Sequence, residues 1–149
     1  MFGKKKNEIL VDHRLAYCVS LTTRRHGVYI KREEVEKKFP EDDPPKTTRE
    51  LNAFLAEKKL EANPINISID DFKDKHFVFP CAVPFTNGQS IIALSVLKKD
   101  DDYFIKYLDP LDPQARQQEV GINEFEKLWK NIVISVNALR GIESKERPF

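Results

Sequence analysis

The stretch AYCVSLTTRRHGVYI, residues 16–30, sets a cysteine and a histidine on what reads as one amphipathic helix. Leu15, Cys18, Val19 and Thr22 recur at i, i+3, i+4 and i+7, a single helix face, and Gly27 stops the run. The spacing also decides a chemical question. The helix between Cys18 and His26 rises by about 12 Å, so the two are out of hydrogen-bond reach and cannot serve as a nucleophile and its base. Cys18 lies on the apolar face, where a free cysteine behaves as a small hydrophobe.

Working outward, a short second helix is expected over residues 31–39, with Val35 and Phe39 one turn apart and Pro40 closing it. The prolines and charges of EDDPPK mark a loop. Thr47-Thr48-Arg49-Glu50 is a capping box that starts a third helix with Leu51, Phe54 and Leu55 as its buried stripe. After Asn63-Pro64 the period changes. PINISI reads as extended, SIDDFK as a capped helical turn, and FVFPCAVPF as a strand passing through prolines. GQSIIALSVL and YFIKYL form an antiparallel hairpin across KKDDD. A turn at Asp109-Pro110-Leu111-Asp112-Pro113, a strand at QEV, a helix from Asn123 to Trp129 and a final strand NIVISV complete the chain. Helices first and antiparallel strands afterwards make an α+β domain.

The 149 residues suit one domain with a real core, and 40% hydrophobic with 33% charged residues is a globular profile. The 25 basic and 24 acidic residues leave a net charge of +1, without the basic excess of a nucleic-acid-binding module. Lys4-Lys5-Lys6 reads as a solvated tail. No secretory signal or spanning segment is recognisable in the sequence, so a reduced cytoplasmic setting is expected. Two cysteines do not make a disulfide framework. Cys18, Cys81, His13, His26 and His76 show no paired metal spacing, and Asp100-Asp101-Asp102 lacks the alternation and glycine of a calcium loop. No metal and no cofactor are expected.

The order of elements carries a resemblance. RRHGV ending a helix, a capped helix, PCAV, a hairpin ending in LDP, and FEKLW before IVISV resemble the bacteriocin-processing cysteine peptidases of the papain-like clan. They resemble more closely the peptidase-like N-terminal domain of type I secretion ABC transporters of the haemolysin-exporter kind. The resemblance implies a papain-like fold, with residues 1–7 a tail, 8–138 the domain, and 139–149 a linker toward a membrane domain. It also places the active family's residues. In that family the nucleophilic cysteine heads the first helix, where a helix N-terminus lowers the thiol pKa and supplies oxyanion donors. Aligned on His26-Gly27, that position falls on Arg14, and the pattern's second cysteine falls on Cys18. The oxyanion glutamine falls on Glu8, and the catalytic histidine on Ser90, beside Gln89. Of the catalytic triad only the third member is kept, as Asp109 in the LDP turn. Arg14 cannot attack a carbonyl, and a carboxylate at Glu8 would repel an oxyanion, so the resemblance implies a degenerate, non-catalytic domain. A cation at a helix N-terminus is unfavourable, so Arg14 is expected to pair with Asp12, Glu8 or Asp109.

On this resemblance the partners are an unfolded secreted protein, such as a calcium-repeat toxin or adhesin, and the remaining domains of the transporter at the cytoplasmic face of the bacterial inner membrane. Binding an extended chain calls for aromatic anchors. Phe85, Tyr103 and Tyr107 on the strand side are candidates, as are Tyr17 and Tyr29 on the helical side. The alternatives are an active leader-peptide peptidase, which needs a cysteine and a histidine where Arg14 and Ser90 stand, and a purely structural or gating domain. The domain by itself is expected to be a monomer.

Overall fold

The computed structural model describes residues 11–40, 42–43, 46–74, 77 and 79–139. The first helix, α1 (His13–Thr22), starts where Asp12 Oδ1 accepts the Leu15 N–H at 2.9 Å, satisfying one of the amides that a first turn leaves open. A 3-10 turn over Thr23–His26 tightens its end. Gly27 then stops it at φ 76°, a left-handed conformation that a side chain would strain.

α1 departs from the amphipathic helix that its spacing predicts. Leu15, Ala16, Tyr17, Cys18, Val19, Ser20 and Thr22 are all buried. The reason is chemical: its polar residues satisfy themselves. Ser20 Oγ donates to the Ala16 carbonyl at 2.8 Å, Thr22 Oγ1 to that of Val19 at 2.7 Å, and Thr23 Oγ1 to that of Ser20 at 2.7 Å. Hydroxyls bonded back in this way can enter a core at little cost.

Two shorter helices follow, α2 (Arg32–Lys38) and α3 (Thr48–Ala56). The capping box forms as its residues dictate: Thr47 Oγ1 accepts the Arg49 N–H at 3.2 Å and Glu50 Oε1 accepts the Thr47 N–H at 2.9 Å. Strand β1 (Leu60–Asn66) begins four residues ahead of the expected PINISI, and the short helix α4 (Ile69–Lys73) follows, capped by Ser68. The early start of β1 comes from its pairing with the last strand, which runs from Leu60 opposite Ala138, while Asn52 on α3 holds its other edge. The Asn52 side chain accepts the Ala62 N–H at 2.6 Å and donates to the Ala62 carbonyl at 3.0 Å, standing in for a neighbouring strand.

The remaining elements are β2 (Cys81–Pro84), β3 (Ser90–Lys99), β4 (Asp102–Leu108), β5 (Gln118–Gly121), α5 (Ile122–Leu128) and β6 (Ile132–Ala138). β2 is shorter than the expected strand through FVFPCAVPF. The six strands form one antiparallel sheet in the order β1-β6-β2-β3-β4-β5. At the β3–β4 turn, Asp100 and Asp101 take φ 50° and 71°, the left-handed pair that a two-residue hairpin loop needs and that aspartate tolerates.

The sheet is covered on both faces. Ala82, Ile92 and Ile134 pack under α1, α2 and α3 with Leu15, Cys18, Val35, Leu51 and Leu55. Cys81, Val83, Ile91, Ala93 and Val133, one residue out of step, meet Phe72 of α4 and Phe125 of α5 on the other face. This is the two-residue alternation of a strand read from both sides. The architecture is helices packed on an antiparallel sheet, the α+β arrangement of papain-like peptidases.

Phe72 is the hub of the second face, its ring centroid 5.4 Å from those of Phe77, Phe79 and Phe125 and 5.1 Å from that of Trp129. Phe72→Ala should therefore cost about 3–5 kcal/mol in urea unfolding. Tyr29→Ala, at a residue 69% exposed, should stay within about 0.5 kcal/mol of the parent.

Candidate functional site

Three segments far apart in the sequence meet at one end of the sheet. α1 crosses β2 and β3, which brings Arg14 at its head over the start of β3, where Ser90 lies. β4 runs antiparallel to β3 with Ile92 opposite Leu108, so Asp109 emerges beside the same point. Arg14, Ser90 and Asp109 line one cavity of about 520 Å³. A second cavity of about 630 Å³ shares Arg14 and Leu111 with it and continues past His13, Tyr17 and Arg32. Glu8 and His76 lie outside the described residues.

The expected pairing of Arg14 with Asp12 or Asp109 is not found. Among the described residues the Arg14 guanidinium makes no ion pair and no hydrogen bond. Asp12 holds the Leu15 N–H, and Asp109 Oδ1 accepts the Leu111 N–H at 2.9 Å. Each carboxylate is thus turned to its own backbone, as aspartates at caps and turns commonly are. Arg32, by contrast, has partners: its Nε lies 3.3 Å from Glu36 Oε2 and its guanidinium 4.6 Å from the Tyr17 ring centroid. Ser90 is only 5% exposed, and its hydroxyl has no partner among the described residues.

Neither cysteine lines the cavity. Both are buried in the two cores. Burial pushes the Cys18 thiol well above its usual range, and the nearby Asp109 and Asp12 carboxylates push it further. Burial alone carries Cys81 up to about 12. Since the thiolate is the nucleophile, neither group is poised to react near neutrality. The described histidines hold backbone: His13 Nε2 lies 3.0 Å from the Phe39 carbonyl oxygen, and His26 Nε2 2.8 Å from that of Val136. No group of three or more His, Cys, Asp or Glu side chains among the described residues could hold a metal ion.

Of the aromatic candidates, Phe85 and Tyr107 line the first cavity, with the Tyr107 hydroxyl donating to Gln118 Oε1 at 3.3 Å. Tyr103 is not brought to it. It lies four residues nearer the hairpin turn, about 13 Å along the strand, with the Lys73 ammonium 4.5 Å from its ring centroid. Tyr17 is buried and reaches the second cavity, and Tyr29 stands exposed with the Arg24 guanidinium 5.7 Å from its ring centroid. The opposite wall comes from Gln118 and Val120 of β5 and Glu124, Lys127 and Leu128 of α5. These were missed because β5 and α5 reach the site only through pairing along β4, which no local pattern announces.

A helix head, a strand start and a hairpin end meeting at one cavity define the class, a domain with the papain-like peptidase fold. The chain belongs to the peptidase C39 family, whose model matches residues 12–139. No curated protein matches it significantly. Solved structures share the fold at low identity. A double glycine motif protease from an AMS/PCAT transporter, in complex with the leader peptide, has a TM-score of 0.63 at 14% identity, covering 84% of each chain. The peptidase domain of Streptococcus ComA, a bi-functional ABC transporter involved in a quorum sensing pathway, has a TM-score of 0.62 at 12% identity, covering 90% of this chain and 98% of its own. The N-terminal peptidase C39 like domain of the toxin secretion ATP-binding protein from Vibrio parahaemolyticus has a TM-score of 0.60 at 14% identity, covering 87% and 99%.

The thiol environments give a direct test. Native protein at pH 8 should show no cysteine reactive to a disulfide reagent, and both should react after unfolding. The linkage has one sign: burial raises the Cys81 pKa from 9.0 to about 12, so the folded state holds that proton more tightly. This contribution to stability is complete below pH 9 and lost as pH rises toward about 12. Cys81→Ala should therefore flatten part of the alkaline decline seen by chemical denaturation.

Proposed function

We propose that this chain is a non-catalytic accessory domain of a type I secretion ABC transporter, of the haemolysin-exporter kind, and that it holds an unfolded secretion substrate at the cytoplasmic face of the inner membrane. One observation carries the reading. One cavity has aromatic walls, Phe85 and Tyr107, and is lined by Arg14 and Ser90, the two positions to which the sequence resemblance assigns the nucleophile and the catalytic histidine of an active C39 peptidase. A guanidinium has no lone pair to attack a carbonyl, and a hydroxyl needs a base within hydrogen-bond reach. What is left is a concave, partly apolar site open to an extended chain. The shared fold with a domain of a toxin secretion protein supports the export setting.

The competing reading is an active leader peptidase, favoured by the likeness to a double glycine motif protease. The two separate cleanly. Isotope-labelled protein should show amide shifts around Phe85, Ser90 and Tyr107 on titration with its operon's secreted protein unfolded in calcium-free buffer, and none with the calcium-folded form. A double glycine leader peptide should remain uncut over the same hours. Cleavage would overturn the non-catalytic assignment, and absence of shifts with the unfolded protein would overturn substrate binding and leave a structural or gating role.

A further inference from the structure

We propose that Arg14 anchors an acidic side chain of the bound chain, so that the cavity selects extended peptides carrying aspartate or glutamate. This rests on the substrate-binding reading above and adds its chemistry. Arg14 occupies the second position of α1, where the helix N-terminus already carries partial positive charge and a cation is unfavourable. Buried arginines and those near a core normally hold a carboxylate. This one holds none among the described residues, although two aspartates flank it in sequence and space.

The surroundings favour a peptide carboxylate over a free inorganic anion. Arg14 and Leu111 stand where the two cavities meet, so a chain can run through both while one side chain reaches the guanidinium. Phe85, Tyr107 and Leu128 offer apolar contact, which a bare anion cannot use. The Ser90 hydroxyl, 5% exposed and without a partner among the described residues, opens into the same cavity as a further hydrogen-bonding group. A planar guanidinium receives a carboxylate through two parallel N–H donors, which a neutral amide of the same shape cannot match.

The test uses the isotope-labelled 149-residue chain and capped nonapeptides of sequence Ser-Gly-Ser-Leu-Asp-Leu-Ser-Gly-Ser, with central Asn and Lys counterparts. The Asp peptide should shift the amides of Ser90, Tyr107 and Leu111 and bind about tenfold more tightly than the Asn peptide, the usual scale of a charge-assisted hydrogen bond. Arg14→Ala should erase that difference, and Arg14→Glu should reverse the preference toward the Lys peptide. Arg14→Glu places an acid in the first turn, where the helix dipole favours it, so α1 should persist and the spectrum stay dispersed.

Equal binding of the Asp and Asn peptides, insensitive to Arg14→Ala, would overturn the acidic selection and leave extended-chain binding standing. Peptide binding seen only in Glu8→Gln protein would overturn it too, making the chain's own N-terminal segment the occupant. No shifts with either the peptides or the unfolded secreted protein would sink both readings together.

Discussion

The structure depends on the burial of α1 against β2, β3 and β6. A helix buried nearly all round can have no ordinary polar face, and this one manages without by returning its Ser20, Thr22 and Thr23 hydroxyls to its own carbonyls. Asp12 fixes where the helix begins, and that start places Arg14 over the head of β3. Had the helix begun one turn later, the residue over the cavity would have been buried Cys18. The cap therefore sets both the core register and the chemistry presented at the site.

Both faces of the sheet are packed, and the two packings differ in kind. The α1 face is mainly aliphatic, Leu, Val and Ile packing around one edge-on pair, Phe39 and Phe54. The opposite face is aromatic, with Phe72 stacked nearly parallel to Phe125 at an interplanar angle of 10°. Phe125 also meets Phe85 edge-on at 75°, and Phe85 lines the cavity. The wall of the site is thus one ring of a rigid aromatic cluster. A contact surface that is already ordered loses little entropy on binding.

Much of the fold was legible because local chemistry and tertiary structure agree. Thr47 and Glu50 can hardly do anything but cap, and paired aspartates at Asp100 and Asp101 suit a tight hairpin loop. The early start of β1 was missed, although Leu60-Glu61-Ala62-Asn63 alternates apolar and polar and is buried in step, because its pairing partner β6 lies about seventy residues further along the chain. The depth of α1 was hidden because Ser and Thr read as surface. At the site, the ordered resemblance brought Arg14, Ser90 and Asp109 to notice, and all three line one cavity. It said nothing of Gln118 or Lys127, and charge arithmetic alone wrongly supplied Arg14 with an aspartate partner.

Asn52 has a consequence for the open β1 border of the sheet. An exposed sheet edge is a template on which any extended segment can add itself as a further strand. On β1 the outward-facing groups alternate, and at Ala62 both N–H and C=O are already held by the Asn52 amide. Two residues on, Pro64 has no N–H to offer. At these two positions the β1 border withholds the groups that backbone zippering would need.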